Sequence, residues 1–462
     1  MDLRSPTDLE SLHLAGIGGS AMNGLALILA KRGFAVRGTD PGIAADTRRL
    51  LEDAGIEVFR EQDGSRIAPA TGLVIATAAL DHDNGDLAEA RRRGLPVLTY
   101  AQALGAIMGE HRGIAVAGTH GKTTTSSLLI CALRAAGADP GFIIGSRVAQ
   151  LGGSFGGGDS DWFVAEACEY QRSFLNLAPR LAIVTGIEAD HLDYYEDLDD
   201  IVGAFSEFLR GIPSGGAVVY SASCEASARA MTGLGCRKVS CGVDEPADYQ
   251  ARGIRTEASS TAFEAVLPSG NAVPIETRLF GRHNVHNALM AFAAAHAIGM
   301  DPTLIARGLG ELKGISRRFE HIGTKNDIDI FDDYAHHPTE VRAMIEGARS
   351  IFGNRRLVIA FQPHQISRTN KLFCDFAEAF AGTDLVLVSD VYAARDKGGE
   401  DGALLGERLA EAIRGRGVAA DHTGDLKSTA KRASKELRRG DLLVTVGAGT
   451  ITSVAPMVLD LI

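Results

Sequence analysis

Lys122 and Thr123 follow a tight glycine turn, and their types suit them to phosphate chemistry. They lie in the stretch 112–127, RGIAVAGTHGKTTTSS, where the apolar run 114–117 predicts a buried strand and the residues from Lys122 predict a helix. A helix N-terminus directs free backbone N–H groups and the positive end of its dipole at one point. Lys122 would add a charge for the outer phosphates, and the Thr123 hydroxyl suits a magnesium ion. The stretch therefore predicts an ATP site.

The spacing of this turn is shorter than that of the usual phosphate loop. Two residues separate Gly118 from Gly121, where the usual pattern has four between its glycines. A strand, turn and helix with an unrelated Gly-Lys-Thr sequence is the structural alternative. The candidate ATP-binding residues of the turn and the first helical residues are Gly118, Thr119, His120, Gly121, Lys122, Thr123 and Thr124.

A second glycine turn, near the N-terminus, predicts a site for a nucleotide diphosphate. Gly16 and Gly18 begin a G-x-G-x-x-A pattern between a predicted strand and a predicted helix, and Asp40 ends the next strand. The glycines would let the backbone approach a diphosphate, and Asp40 would accept a hydrogen bond from a ribose hydroxyl. The pattern does not distinguish NAD from another nucleotide diphosphate, and a purely structural glycine turn is the alternative.

Glu166 and His191 each follow a predicted strand of the central region, at 162–165 and 181–184. Carboxyl ends of parallel strands share one edge of a sheet, so both side chains would face the phosphate turn. Together with Thr123 they are the candidate magnesium ligands, although magnesium prefers oxygen to the nitrogen of His191. A helix cap for Glu166 and a loop histidine for His191 are the structural alternatives.

Polar side chains recur at two further places. His283, Asn284 and Asn287 precede and begin an Ala-rich helix predicted at 288–298, where they would hydrogen-bond or stack on a purine, or cap the helix. In the last third of the chain, polar residues follow predicted strands at 328–331, 357–361 and 385–389, and a glycine turn follows 442–446. A shared cleft at the carboxyl ends of these strands is expected.

Composition sets the class of protein. The 462 residues are too many for one ordinary core, so two to four domains are expected. A formal net charge of −11 argues against general nucleic-acid binding, and the six cysteines, which include no CxxC pair, predict reduced thiols. No signal peptide and no membrane span are expected, and the glycine-rich residues 151–160 predict a flexible loop.

The alternation of strands and helices predicts an α/β fold in three domains, each with a mostly parallel sheet flanked by helices. The N-terminal domain, 1–108, is expected to be Rossmann-like. The central domain, 109–314, is expected to be of the P-loop type, and the C-terminal domain, 315–462, again Rossmann-like.

Seven motifs, taken together, resemble those of the Mur ligases, the ATP-dependent amino-acid ligases of peptidoglycan synthesis. They are GIGGSAMNG (16–24), AGTHGKTTT (117–125), EADHLD (188–193), GRHNVHNA (281–288), SRRFE (316–320), DDYAHHPTE (332–340) and FQPHQISRT (361–369). The chain differs from the family pattern in Cys168 and Tyr170 after Glu166, and in Thr77-Ala78-Ala79 where two serines are common. It also has no lysine between Lys122 and Lys238. It therefore lacks the carbamylated lysine of several sister ligases, which favours the alanine-adding branch.

The resemblance implies an activity: ligation of L-alanine to the carboxylate of UDP-N-acetylmuramate through an acyl phosphate, with ATP and Mg²⁺, or Mn²⁺ in its place, in the cytoplasm. It implies that the N-terminal domain holds the UDP-sugar, the central domain ATP and the C-terminal domain the amino acid. A monomer or weak homodimer without nucleic-acid or membrane partners is expected. The alternatives are a ligase that recycles a tripeptide onto the same nucleotide, and a nucleotide-sensing protein without catalysis. A nicotinamide oxidoreductase would leave the ATP-type turn unused.

The resemblance also implies roles for individual residues. The catalytic residues would be Lys122, Glu166 and His191, with His191 at a second metal ion. The UDP-sugar would contact Gly16, Gly18, Gly19, Ser20, Asp40 and Thr77. Beyond the phosphate turn, ATP would contact His283, Asn284, Asn287, Arg318, Asp332 and His336. The amino acid would contact His364, Arg368 and Tyr392, with Arg368 pairing its carboxylate in bidentate fashion.

Overall fold

A computed structural model describes residues 3, 9, 11–257, 260–394, 396 and 401–462 of the chain. The fold is α/β, with three sheets that are mostly parallel and flanked by helices, as the sequence predicted. The described residues form two compact units. Unit 1 comprises 1–188, 198–250 and 288–309, and unit 2 comprises 189–197, 251–287 and 310–462. No helix among the described residues has both the length and the apolar character needed to cross a membrane.

The N-terminal sheet is parallel throughout, in the order β3-β2-β1-β4-β5. Its elements are β1 (Ser11–Ala15), α1 (Ser20–Lys31), β2 (Ala35–Thr39), α2 (Ala45–Asp53), β3 (Glu57–Phe59), β4 (Thr71–Ala76), α3 (Gly85–Arg93), β5 (Val97–Thr99) and α4 (Tyr100–Gly109). The central strand β1 is buried along its whole length, as expected for a strand covered by helices on both faces. Its carboxyl end leads directly into the first glycine turn.

The next elements in the chain are β6 (Arg112–Ala117), α5 (Lys122–Ala135), β7 (Gly141–Val148), β8 (Gly153–Gly156), β9 (Trp162–Glu166), β10 (Leu181–Val184), α6 (Leu198–Arg210), β11 (Ala217–Ser221), α7 (Glu225–Ala230), β12 (Arg237–Val243), β13 (Tyr249–Thr256), β14 (Thr261–Val266), β15 (Ala272–Thr277), α8 (Arg282–Ala297) and α9 (Pro302–Glu311). Short 3₁₀ helices occupy Ala149–Leu151 and Tyr170–Asn176. In unit 1, β6 lies between β10 and β9, and pairs with both in parallel. In unit 2, β14 and β15 pair antiparallel.

The C-terminal sheet has the order β16-β17-β21-β18-β19-β20, with β16 antiparallel to β17 and the other pairs parallel. Its elements are β16 (Glu320–Lys325), β17 (Ile328–Asp333), α10 (Pro338–Phe352), β18 (Leu357–Phe361), α11 (Ile366–Lys371), α12 (Phe373–Ala379), β19 (Leu385–Ser389), α13 (Gly402–Gly415), β20 (Ala420–Gly424), α14 (Leu426–Glu436), β21 (Leu442–Val446) and α15 (Val454–Leu461), with a 3₁₀ turn at Thr450–Ser453. Successive residues of β18 alternate between two apolar cores, one on each face.

The predicted strands at 181–184, 357–361, 385–389 and 442–446 are confirmed with the same bounds. The flexible loop predicted at 151–160 is wrong, because β8 lies within it and pairs with β7. Glycine permits this pairing: a Cβ at Gly156 would lie 2.5 Å from the ring of Phe142. The helix α8 begins at Arg282, six residues before the predicted 288, and the antiparallel strands β14 and β15 were not predicted.

Candidate functional site

The phosphate turn between β6 and α5 depends on two glycines with positive φ. Gly118 has φ +130° and Gly121 has φ +78°, conformations that other residues rarely adopt. A Cβ at Gly118 would also lie 2.1 Å from the hydroxyl of Thr185, so no larger residue fits there. Gly121 precedes α5 and has no side chain to cap it. The predicted strand, turn and helix N-terminus are therefore present, with the shortened glycine spacing built into the backbone.

Other turn residues fix the loop that follows β10. The Thr119 hydroxyl accepts a hydrogen bond from the Glu188 backbone N–H at 2.8 Å, and His120 Nε2 lies 3.5 Å from the Glu188 carboxylate. Thr124, the last of the predicted turn residues, is buried in the first turn of α5. The hydrogen bond to Glu188 gives Thr119 a structural role in addition to the predicted nucleotide contact.

Lys122 is held by an acidic partner that the sequence did not predict. Its Nζ lies 3.1 Å from each carboxylate oxygen of Glu169 and donates to the carbonyls of Gly118 and Thr119 at 2.5 and 3.1 Å. Burial lowers the pKa of Lys122, but the charge of Glu169 outweighs it, so the pKa is raised and the ammonium stays protonated. Glu169 therefore pairs with the charged ammonium group that the sequence predicts to contact phosphate.

Thr123 and Glu166, two of the three predicted magnesium ligands, meet beside Gly145 of β7. The Gly145 backbone N–H donates to Glu166 Oε1 at 2.5 Å. A Cβ at Gly145 would lie 2.8 Å from Glu166 Oε2 and 3.1 Å from the Thr123 hydroxyl, so the missing side chain leaves room around both oxygens. A carboxylate and a hydroxyl are oxygen donors of the kind magnesium prefers, and this pair fits the ion. His191, the third predicted ligand, belongs to unit 2.

The N-terminal glycine turn brings together the residues predicted to bind the UDP-sugar. Gly16 has φ +80°, and a Cβ there would lie 2.4 Å from the Thr77 methyl group. The Gly18 backbone N–H donates to Asp40 Oδ2 at 3.0 Å, and the Gly42 N–H donates to Oδ1 at 2.9 Å. Asp40 therefore stabilises the turn itself. Gly19 and Ser20 form the start of α1, and no side chain caps this helix N-terminus.

In unit 2, the residues predicted to bind the amino acid form one cluster at the carboxyl ends of β18 and β19. The rings of His364 and Tyr392 stack with centroids 5.6 Å apart, and Arg368 Nη1 lies 3.4 Å from His364 Nδ1. The ring of His336 lies 6.1 Å from that of His364. Burial lowers the pKa of His336 to about 4, so this imidazole is neutral near pH 7.

Arg368 pairs with Asp190, a partner that sequence reasoning missed. Its Nε and Nη2 donate to Asp190 Oδ1 at 3.1 and 2.9 Å, and both side chains are buried. Burial raises the pKa of Asp190, but the neighbouring Arg368 charge outweighs it and holds that pKa below its usual range. Two of the Arg368 donors that were expected to pair with the amino-acid carboxylate are therefore bonded to a single oxygen of this protein carboxylate. The motif EADHLD contained the signal, since Asp190 precedes His191.

The residues predicted to reach ATP from the last third of the chain divide into two groups. Arg318 and His336 both approach Glu340, at 3.9 and 3.1 Å. Asp332 lies inside β17, not in the loop predicted to follow it, and it is completely buried. Its carboxylate pairs with Arg317 at 3.1 Å and accepts from the Thr445 hydroxyl at 2.5 Å. This buried, paired position argues against a direct contact between Asp332 and the nucleotide.

The predicted adenine contacts lie in the first turns of α8, because this helix begins earlier than the sequence predicted. Asn284 Nδ2 donates to the Phe280 carbonyl at 2.7 Å, and Asn287 Nδ2 donates to Asn284 Oδ1 at 3.1 Å. His283 precedes Asn284, and a Cβ at Gly281 would lie 2.7 Å from its ring. The two amides therefore have local hydrogen-bonding roles at this helix start.

Three mostly parallel α/β sheets, a phosphate turn with an adjacent pair of candidate oxygen ligands, and an arginine–histidine cluster are features of a nucleotide-dependent enzyme. Three family models match the chain in succession: Mur ligase family, catalytic domain (11–112), Mur ligase middle domain (116–295) and Mur ligase, glutamate ligase domain (317–449). The chain belongs to the Mur ligase family.

Individual relatives extend over nearly the whole chain. It is 37% identical over 453 residues to the UDP-N-acetylmuramate–L-alanine ligase of Clostridium acetobutylicum, covering 98% of each protein. It is 38% identical over 463 residues to the enzyme of the same name from Acetivibrio thermocellus, covering 99% of this chain and 97% of that one. Among solved structures, the UDP-N-acetylmuramate–alanine ligase of Thermotoga maritima matches with a TM-score of 0.82 and 25% identity over 97% and 98% of the two chains. A murein peptide ligase from Psychrobacter arcticus matches with a TM-score of 0.73 and 27% identity over 98% of each.

Proposed function

We propose that this protein ligates L-alanine to the carboxylate of UDP-N-acetylmuramate, with ATP as the energy source, in the cytoplasmic synthesis of peptidoglycan precursors. The observation that carries the proposal is the 37–38% identity, over almost the whole chain, to proteins of that activity. The phosphate turn and the arginine–histidine cluster supply groups that this reaction needs.

In the first step, the muramoyl carboxylate attacks the γ-phosphorus of ATP, ADP leaves and an acyl phosphate forms. Two anions must approach each other, so positive charge has to offset their repulsion. Lys122 supplies one such charge, and the N-terminal N–H groups of α5 supply further donors. Thr123 and Glu166 would hold the magnesium ion, which neutralises phosphate charge when bound.

In the second step, the α-amine of alanine attacks the acyl carbon, and the tetrahedral intermediate collapses to an amide and inorganic phosphate. Arg368 and His364 would bind the alanine carboxylate, with Tyr392 as a wall of the pocket. We propose His191 as a ligand of a second metal ion. His283, Asn284, Asn287, Arg318 and His336 would contact ATP, with Asp332 acting through its pairing with Arg317.

We propose that the UDP-sugar lies at the N-terminal glycine turn, on Gly16, Gly18, Gly19 and Ser20, with Thr77 and Asp40 beside it. We propose domain boundaries at 108/109 and 314/315, which divide the chain into a UDP-sugar domain, an ATP domain and an amino-acid domain. The cofactors would be ATP with Mg²⁺, or Mn²⁺ in its place, and the protein would act as a monomer or weak homodimer without nucleic-acid or membrane partners.

Incubation of the purified protein with UDP-N-acetylmuramate, ATP and Mg²⁺, and with each amino acid in turn, tests the proposal. The expected result is ADP release and a product whose mass equals the nucleotide plus alanine minus water. No turnover with alanine, serine or glycine would refute it. The likeness to a murein peptide ligase makes the preformed tripeptide the necessary competing substrate, and a preference for tripeptide over alanine would replace the proposal with a recycling function.

A further inference from the structure

Asp190 occupies one whole edge of the Arg368 guanidinium. Arg368 Nε and Nη2 both donate to Asp190 Oδ1, at 3.1 and 2.9 Å, and each side chain is only 7% exposed. An arginine fork has a limited set of donor directions, so donors committed to Asp190 are not available to a ligand. The Nη1 group remains on the side of His364, whose Nδ1 is 3.4 Å away.

The same carboxylate oxygen also fixes the backbone of the next residue. The His191 N–H donates to Asp190 Oδ1 at 2.7 Å, and His191 has φ +52°. A left-handed conformation is uncommon for residues other than glycine and persists only where neighbouring contacts enforce it. Asp190 therefore joins the backbone of His191 to the guanidinium of Arg368 through one oxygen atom.

A small cavity lies beside the pair. It is lined by residues 189–193 of the loop and, on α11 and at its two ends, by Gln365, Ser367, Arg368, Lys371 and Leu372. Gln365, which precedes α11, has φ +70° and donates its N–H to the Tyr392 carbonyl at 2.8 Å. The backbone at both sides of the cavity is thus held in conformations that ordinary loops seldom use.

We propose that Asp190 is a positioning residue for the amino-acid substrate. It holds the Nε–Nη2 edge of Arg368, so that the α-carboxylate of the amino acid is received at Nη1 beside His364. Through its bond to the His191 N–H, it also fixes the separation between this carboxylate site and His191. The inference rests on the proposed amino-acid ligation and deepens it by assigning how the substrate carboxylate is oriented.

Asp190→Asn tests the proposal, since asparagine keeps the shape and one acceptor oxygen but loses the charge that holds the arginine. We expect the KM for L-alanine to rise on the order of 10²-fold, with a smaller change in kcat, because the carboxylate site is displaced. The dissociation constant of a nonhydrolysable ATP analogue with Mg²⁺, measured by calorimetry, should stay within about twofold of wild type, because Asp190 acts through Arg368. Asp375→Asn, at an exposed position in α12, is the matched control and should leave both quantities unchanged.

A double-mutant cycle with Arg368→Lys shows whether Asp190 acts through the arginine. Lysine keeps the charge but lacks the fork that Asp190 grips, so adding Asp190→Asn to Arg368→Lys should raise the alanine KM less than about threefold further. Additive effects, or an unchanged alanine KM in Asp190→Asn, would overturn the proposal. A loss of ATP affinity as large as the rise in alanine KM would do the same, since it would indicate a general defect at His191.

If Asp190→Asn does not fold, Asp190→Glu replaces it, because it retains the charge on a longer arm and should still raise the alanine KM. A wild-type KM in that variant would refute the inference. Wild-type protein that fails to ligate any amino acid would refute the proposed function instead, so the two failures are distinguishable.

Discussion

Replacing Gly145 with alanine adds one methyl group at the place where Thr123 and Glu166 meet. Alanine keeps the backbone N–H that donates to Glu166 Oε1, so the added Cβ is the only change. That atom would lie 2.8 Å from Glu166 Oε2 and 3.1 Å from the Thr123 hydroxyl. Ordinary van der Waals contact needs about 3.4 Å or more, so the carboxylate must move by about 0.6 Å.

A displacement of that size matters to magnesium because its ligands must lie within a narrow range near 2.0–2.1 Å in octahedral geometry. Substitutions that disturb the orientation of metal ligands typically cost about 10–100-fold in affinity, or roughly 1.4–2.7 kcal/mol. We expect Gly145→Ala to weaken binding of the metal–nucleotide complex by this factor. Binding of ATP without divalent metal should change little, since Lys122 and the turn remain intact.

Two measurements separate these effects. Calorimetry with a nonhydrolysable ATP analogue, with and without Mg²⁺, gives the two affinities, and electron paramagnetic resonance of Mn²⁺ reports free metal directly. Gly203→Ala in α6 is the control, because nothing lies within 4 Å of its Cβ position and alanine there should stabilise the helix by about 0.5–1 kcal/mol. Wild-type metal affinity in Gly145→Ala would refute the inference that this cradle holds the ion.

Three other outcomes follow from the contacts described. Lys122→Met should lower kcat by about 10²-fold or more in the ADP-release assay, since one preorganised charge at the transferring phosphate is lost, and wild-type turnover would contradict this role. Burial raises the pKa of Asp333 to about 6, so the folded state favours the protonated carboxyl more than the unfolded chain does. This preference for the protonated form stabilises the fold at pH 4. The stabilisation is lost as the pH rises through 6, by up to about 3 kcal/mol. Urea denaturation from pH 4 to 7 should show this decline in the free energy of unfolding, and Asp333→Asn should reduce it. An equal decline in the variant would contradict the assignment of the decline to Asp333. Ile359→Val in β18, at a completely buried position, should lower the free energy of unfolding by about 0.5–1.5 kcal/mol in the same experiment, and no loss would mean that the core repacks around the missing methylene.

Glycine accounts for both a success and a failure of the sequence predictions. Gly118 and Gly121 were recognised because a helix N-terminus with a following Lys-Thr is a local pattern, and both have the positive φ that the turn requires. The glycines of 151–160 were interpreted as a flexible loop because composition alone does not reveal pairing. The structure shows that β8 lies there and pairs with β7. Gly156 allows β8 to approach the ring of Phe142 in β7, a contact that the sequence does not reveal.

The sequence by itself determined most of the order of strands and helices, apart from β8, β14 and β15, together with the two glycine turns and the candidate groups for phosphate and metal. These depend on contacts between residues near in sequence, where periodicity and turn chemistry act. Only the tertiary structure decided that Glu169 holds Lys122, that Gly145 makes room for Glu166 and Thr123, and that Asp190 holds Arg368. Each of these pairs joins residues separated by 20 or more positions. Their meeting depends on strand order and sheet register, which local sequence does not encode.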